Sequence, residues 1–358
     1  MLKEAGFSLV EMLIAVAVAV TTFGLLFQAA ARGQRIARAQ PEAADVQQRV
    51  RVATDMLRRD LLAAGSGPTH GVGTGPLDQY FPPVVPARTG ARNFDPELTF
   101  FTDRISIVAV PEGGVAARLS SNMAGVASDL PIDSMTPGCA SWGLCGFTPG
   151  TRSAIFDRAG IGAGVEWFSV TGIAAGLAHD VPNPPFSRAY SAPTARVVPI
   201  VQHVYYLDRV NARLMLYDGY QSDVPLVENI VDLRFAYFLA PSPSSVTRPT
   251  DGETNCAYAA GTPPVPLLAD LGGIAPQLAA ASLLTDGPPC GLPPHRFDAD
   301  LLRVRRVRVT IRAQAGLDDL RGVSRDFSRR GRSIGAESSV PDVEVTFDVS
   351  LRNVGSGS

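Results

Sequence analysis

The stretch from Gly6 to Ala31, GFSLVEMLIAVAVAVTTFGLLFQAAA, constrains this chain more than any other. It is predominantly apolar and holds one charged side chain, Glu11, near its start, with Lys3 in the short piece before it. As a helix rising 1.5 Å per residue, the roughly 25 residues from Phe7 to Ala31 are long enough to cross a bilayer. A secretory signal has a shorter apolar core, of about 7 to 15 residues, with a small-residue junction after it. Here the core is longer and the glycine-marked junction precedes it. A carboxylate inside such a segment costs on the order of 2.5 to 3.5 kcal/mol, so Glu11 needs a partner unless it is neutralised or reaches the headgroup surface.

Beyond Ala31 the helical pattern continues and changes character. Ala43, Val46, Val50, Ala53, Leu57, Leu61 and Ala64 recur every three or four residues as one apolar stripe. The remaining positions carry Arg49, Arg51, Asp55, Arg58, Arg59 and Asp60 and are expected to face water. Pro41 is expected to bend the helix or break it locally, and Gly65, Ser66, Gly67 and Pro68 to end it. From Phe7 to Ala64 such a helix measures about 87 Å, more than a bilayer needs, so its second half should be the spine of a domain outside the membrane.

The remainder reads as antiparallel β-structure. Strands are expected at Thr99 to Val110, Glu166 to Gly172, Arg196 to Leu207, Arg213 to Asp218, Ile230 to Leu239, Arg303 to Ala313 and Val343 to Leu351, with a hairpin turning at Asp208 to Asn211. In the last two strands Val307, Val309, Ile311 and Ala313 share one face, as do Val343, Val345, Phe347, Val349 and Leu351. Arg306, Arg308 and Arg312 are expected to meet Glu344 and Asp348 on the opposite face. The Pro/Gly/Ser-rich stretches His70 to Arg92, Glu112 to Arg158 and Pro241 to His295 are expected to be surface insertions.

Gly6, Phe7 and Glu11, within KEAGFSLVEMLIAVAV, closely resemble the class III signal of type IV prepilins and of type II secretion pseudopilins. The segment QQRVRVATDMLRRDLLAAG, Gln47 to Gly65, with its RDL-x-x-AG string, is similar to PilW-type minor pilins and the related J-type minor pseudopilins. The strand VENIVDLRFAYF and the ending FDVSLRN extend the resemblance over most of the chain, the loops excepted. The resemblance implies a prepilin peptidase that cuts after Gly6 and N-methylation of the new terminus, Phe7. Glu11 then falls where the family carries its assembly glutamate, which meets the amino terminus of a neighbouring subunit.

On this reading the fold is α+β and pilin-like, a long N-terminal helix packed on an antiparallel β-sheet domain with long loop insertions. Residues 1–6 are the leader, 7–31 the transmembrane and filament-core helix, 32–66 an amphipathic stem and 67–358 the β-rich domain. The implied role is that of a minor type IV pilin, a non-enzymatic structural subunit of a pilus tip or priming complex. Its implied partners are the prepilin peptidase, other minor and major pilins, the inner membrane and its assembly platform. The implied location is the inner membrane, with the C-terminal domain periplasmic, and then a pilus or pseudopilus. Two alternatives stand beside it: a minor pseudopilin of type II secretion, and a membrane-anchored periplasmic binding or adhesion module that never polymerises.

The residue inventory narrows the chemistry. Cys139, Cys145, Cys256 and Cys290 are expected to form two local disulfides, Cys139 to Cys145 and Cys256 to Cys290, because each pair lies within its own Gly/Pro-rich loop. Zinc is disfavoured, since none of the four forms a CxxC and the four histidines are scattered. Lys3 is the only lysine, which leaves the mature chain without a Schiff-base lysine. HExxH, Walker A and GxSxG motifs are missing from the sequence, so no catalytic residue, cofactor or metal is assigned. HGVGTGP, at His70 to Pro76, follows a helix end rather than a strand and reads as a loop. Asp129/Asp133 and Asp318/Asp319 read as solvated turns in preference to calcium ligands. A net charge of −2 exerts no general pull on nucleic acid. The run Arg303, Arg305, Arg306, Arg308, Arg312, with Arg329, Arg330 and Arg332 after it, lacks interleaved aromatics, so nucleic acid is disfavoured as a partner.

Overall fold

A computed structural model of the chain describes residues 8–73, 75–139, 145–158, 164–174, 176–180, 186–240, 248–269, 271, 277–278, 284–293, 295–321 and 340–354. The architecture is α+β and pilin-like: a long N-terminal helix, Leu9–Ala63, packed against antiparallel β-sheets. Two compact units arise along the chain, 1–50 with 313–343, and 51–312 with 344–358.

The helix is continuous, with Pro41 inside it, so the local break expected there is not formed. Its end is fixed by three devices. Gly65 adopts φ +72°, the left-handed conformation that glycine accepts at a helix C-terminus. A Cβ at that position would lie 3.0 Å from Pro83 Cβ, so any larger residue is also crowded. The Gly65 N–H donates to the Val108 carbonyl at 2.9 Å, and Asn353 Nδ2 donates to the carbonyls of Leu62, Ala63 and Ala64 at 3.1, 3.4 and 3.4 Å. Those carbonyls are among the four left unsatisfied at any helix C-terminus. The terminal string FDVSLRN therefore has a packing role as well as a resemblance: Val349 and Leu351 are buried, and Asn353 caps the stem.

Within the larger unit the stripe residues Ala53, Leu57, Leu61 and Ala64 are fully buried. Three main sheets make up most of the rest of the described chain. A five-stranded antiparallel sheet has the order Asp223–Glu228, Arg213–Tyr217, Val201–Asp208, Arg104–Ala109, Val84–Val85. A six-stranded sheet runs His70–Gly71, Val115–Arg118, Ala195–Pro199, Arg152–Asp157, Val165–Ile173, Leu177–His179, antiparallel except for its first pair. A four-stranded sheet has the order Gln277–Leu278, Ile230–Leu239, Val304–Ala313, Val343–Ser350. In the smaller unit Glu42 accepts the Gly316 N–H at 2.5 Å and pairs with Arg49 at 3.1 Å, and Val340 N–H donates to Leu320 at 3.0 Å.

Most expected strands are present, and the hairpin closes with Asp208 opposite Arg213. Three expectations are corrected. The stretch His70 to Arg92 is not simply a surface insertion: it supplies His70–Gly71 to the six-stranded sheet and Val84–Val85 to the five-stranded sheet, and it buries Leu77, Phe81 and Val84. The stretch Glu112 to Arg158 is not simply a surface insertion: it supplies Val115–Arg118 and Arg152–Asp157 to the six-stranded sheet. Ala117, Leu119, Leu130 and Ile155 form a buried cluster with Phe168 and Val197. Its strands are short and separated by glycine-rich loops, so composition averaged over the segment hid them. The run Arg196 to Leu207 is not one strand but two, Ala195–Pro199 and Val201–Asp208, belonging to different sheets. Pro199, which has no N–H to donate to a ladder, ends the first of the two.

Candidate functional site

The apolar half of the helix is bare. Large side chains from Leu9 (77% exposed) to Phe27 (75% exposed) project on every face. The hydroxyls of Thr21 and Thr22 return to the carbonyls of Ala17 and Val18 at 2.8–3.0 Å, so these two groups are satisfied within the helix, as hydrocarbon requires. It is long and apolar enough to cross a membrane. Glu11 is exposed at the helix start, where Oε2 accepts the Ser8 backbone N–H at 3.0 Å; a negative charge at a helix N-terminus is favourable. Gly6 and Phe7, the expected cleavage pair, lie outside the described residues.

At the other end of the helix a buried polar cluster ties the stem to the five-stranded sheet. Asp60 Oδ2 receives His203 Nδ1 at 2.5 Å and the Tyr205 hydroxyl at 2.5 Å. Asp60 is 8% exposed, which corrects the expectation that it faces water with Arg58 and Arg59. Burial acts to raise its pKa, but the hydrogen bonds from His203 and Tyr205 and nearby positive charge prevail, and it is held below the usual value. Tyr205 is pushed far up by burial and by Asp60, and so remains a donor. The position was legible in principle, since Asp60 stands three residues after Leu57 and four before Ala64, on the border of the stripe.

The structure joins Cys139 to Cys145 and Cys256 to Cys290, the local pairs expected. Cys145 belongs to the core beside Leu130 and Phe147, and Cys290 lies in a two-stranded ribbon with Phe297. The sequence separations are 6 and 34. Loop-closure entropy then predicts that replacing Cys256 and Cys290 together with serine costs about 4 kcal/mol, against about 2 kcal/mol for the shorter bridge. Urea denaturation of the two double variants checks this; a larger cost for the shorter loop would discount loop closure as the source of stability.

The charged groups singled out in the sequence are largely engaged. Arg306 and Arg308 meet Asp348 at 3.0 and 2.7 Å. Arg312, expected beside them on the exposed face, is buried, and Glu344 reaches past the intervening strand to lie 3.8 Å from Arg234 of Ile230–Leu239. Arg303 is buried on Asp300 at 2.8 Å, and Arg305 donates to the carbonyls of Leu302 and Val304. Asp133 takes Arg118, and Asp318 takes Arg321. Arg329, Arg330 and Arg332 lie outside the described residues. Among the described residues no three His, Cys, Asp or Glu side chains form a metal-binding group.

The larger unit also holds a cavity of about 630 Å³ that no sequence motif announces. It is bounded by the five-stranded sheet, the 90–99 loop, the strand Val165–Ile173 and the segment following Cys290. Trp167 packs edge-on against Phe81 and His295, with ring centroids 5.4 and 6.3 Å away. Arg152 lies over Tyr220 at 4.7 Å and donates to Ser169 Oγ at 3.0 Å. Burial and the nearby Arg152 push His295 down to about 4, so its imidazole is neutral at pH 7, with one ring nitrogen a donor and the other an acceptor. These residues are scattered along the chain and meet only through the fold.

The chain finds no match among protein-family models, curated proteins or solved structures. The bare apolar helix is suited to a membrane anchor or signal, and the two disulfides indicate a domain outside the reducing cytoplasm.

Proposed function

We propose that this chain is a minor subunit of a type IV pilus-like filament, processed after Gly6, with its N-terminal helix packed among the helices of other subunits. The observation carrying the reading is the continuity of Leu9–Ala63: one uninterrupted helix is bare and apolar in its first half and core-forming in its second. An anchor needs only about 20 apolar residues. The side chains of the bare apolar half are left free to pack against the helices of other subunits. That property suits a subunit whose position is set by packing against neighbours. Helical filaments follow when such a head-to-tail contact does not close into a ring, and the bulk of the β-domain favours a rare or tip position over the shaft.

The test is N-terminal peptide mass analysis of the membrane-extracted chain, combined with immunodetection in filaments sheared from the cell. The expected result is a mature chain beginning at N-methylated Phe7 and present in the sheared fraction. A chain retaining Lys3, or cut between Ala29 and Ala31, would overturn the processing; a chain confined to membranes would instead support the non-polymerising anchored module.

A further inference from the structure

One face of the six-stranded sheet carries three arginines with too few acids to offset them. Arg118 and Arg196 are direct cross-strand partners, and Phe156 stands opposite Arg196 on its other side. The Arg158 N–H donates to the Thr194 carbonyl at 3.0 Å and continues that register. Arg158 therefore lies diagonal to Arg196, on the face it shares with Arg118 and Phe156. Like charges set opposite one another across a ladder are destabilising. Among the described residues Asp133, 2.5 Å from Arg118, is the one carboxylate ion-paired with any of the three. Asp157 alternates to the other face and pairs with Arg188 at 3.6 Å. Arg196 is the centre of the group: it is 4% exposed and forms no ion pair among the described residues. Its Nη1 donates to the carbonyls of Pro193 and Ala195 at 3.3 and 2.7 Å, which turns the guanidinium toward the Thr194 row where Arg158 stands. Its buried Nε has no partner. Burial first, and then the charges of Arg158 and Arg118, lower its pKa. Arg118 and Arg158 are exposed, so the group is accessible from solvent.

We infer that Arg118, Arg158 and Arg196 bind a phosphate group, as the free ion or as a small monoester. Three guanidinium charges less the one Asp133 carboxylate leave an excess of two, which a phosphate dianion neutralises. Guanidinium groups take phosphate oxygens in paired, charge-assisted hydrogen bonds. A tetrahedral anion presents oxygens on several sides and can meet two cross-strand neighbours and a diagonal one together, whereas a carboxylate offers two oxygens and a single charge. The bound anion also removes the repulsion among the three arginines. Binding here does not depend on whether the chain polymerises.

The test is isothermal titration of the full-length chain in detergent micelles with inorganic phosphate, at about pH 8, where the dianion prevails, and at constant ionic strength. Titrations into empty micelles are subtracted. The expected result is saturable one-site binding, at least about 10-fold weaker for acetate, a factor equivalent to about 1.4 kcal/mol. Glycerol 3-phosphate separates the two sources: affinity equal to or above that of inorganic phosphate assigns the site to a monoester, and lower affinity assigns it to the free ion. Arg158→Gln, at an exposed position, should weaken phosphate about 10-fold, and Arg196→Gln at least as much. Arg213→Gln, which removes an arginine from the five-stranded sheet, should leave binding unchanged. Because Arg196 is buried, a thermal unfolding scan accompanies its variant. Absence of saturable binding, equal affinity for acetate, wild-type affinity in Arg158→Gln or in folded Arg196→Gln, or an equal loss in Arg213→Gln overturns the assignment. If Arg196→Gln does not fold, Arg158→Gln and the acetate comparison decide the matter.

Discussion

Asp60→Ala is expected to destabilise the larger unit by about 3 kcal/mol, because it removes two charge-assisted hydrogen bonds and strands the Tyr205 hydroxyl and His203 Nδ1. Asp60→Asn, which retains a carbonyl acceptor of the same shape, should recover part of that loss. The two variants differ further in their response to acid. The folded-state pKa of Asp60 is lowered, so its contribution is fully present above the unfolded value of about 3.9 and is lost as pH falls through the folded value. Urea midpoints of wild type and Asp60→Asn in detergent should therefore be separated near neutral pH and converge in solution more acid than about pH 4. Other carboxylates of lowered pKa, among them Asp208 and Asp348, remain in both proteins, so the difference between the two curves isolates Asp60. A gap that persists unchanged to pH 2 would show that the lowered ionisation of Asp60 adds nothing to the stability of the domain.

The same residue shows where reading the sequence stops. Periodicity placed Ala53, Leu57, Leu61 and Ala64 on a buried face because packing follows the helical repeat directly. It placed Asp60 outside, because a periodicity argument sorts residues by polarity and cannot see that Tyr205 and His203, some 145 positions away, come to meet it. Beyond its resemblance, the string RRDLLAAG has a physical content: a buried acceptor at Asp60, two core positions at Leu61 and Ala64, and a left-handed cap at Gly65. The strands of the four-stranded sheet were visible because two of them are long and alternate cleanly. Val115–Arg118 and Arg152–Asp157 are short, buried on both faces over much of their length, and so carry little alternation. The disulfides were legible because each closes a local loop. The cavity was not, since its walls come from the five- and six-stranded sheets, the 90–99 loop and the segment 284–301, which no local pattern connects.

Under the filament reading, Glu11→Ala should leave cleavage and membrane insertion intact and reduce recovery in sheared filaments by at least about 10-fold, equivalent to about 1.4 kcal/mol of lost association. Cleavage after Gly6 creates a positive amine at the head of an apolar helix, and Glu11 lies four residues, about one turn, further along. Both groups are awkward in hydrocarbon, and pairing offsets both penalties. In the isolated chain Glu11 is exposed and, among the described residues, engaged with the local Ser8 N–H, an arrangement that each subunit satisfies by itself and that gives no drive to associate. Between chains, the same carboxylate set against a neighbour's amine fixes the axial stagger of an entering subunit. Glu11→Gln separates the two roles, because an amide still accepts the Ser8 N–H but carries no charge. If inter-chain pairing drives entry, Gln should fail as Ala does; if the cap at the helix start is what matters, Gln should assemble normally. Immunoblots of sheared and membrane fractions from cells producing each variant at equal level give the answer. Wild-type incorporation of Glu11→Ala would remove the inter-chain role altogether.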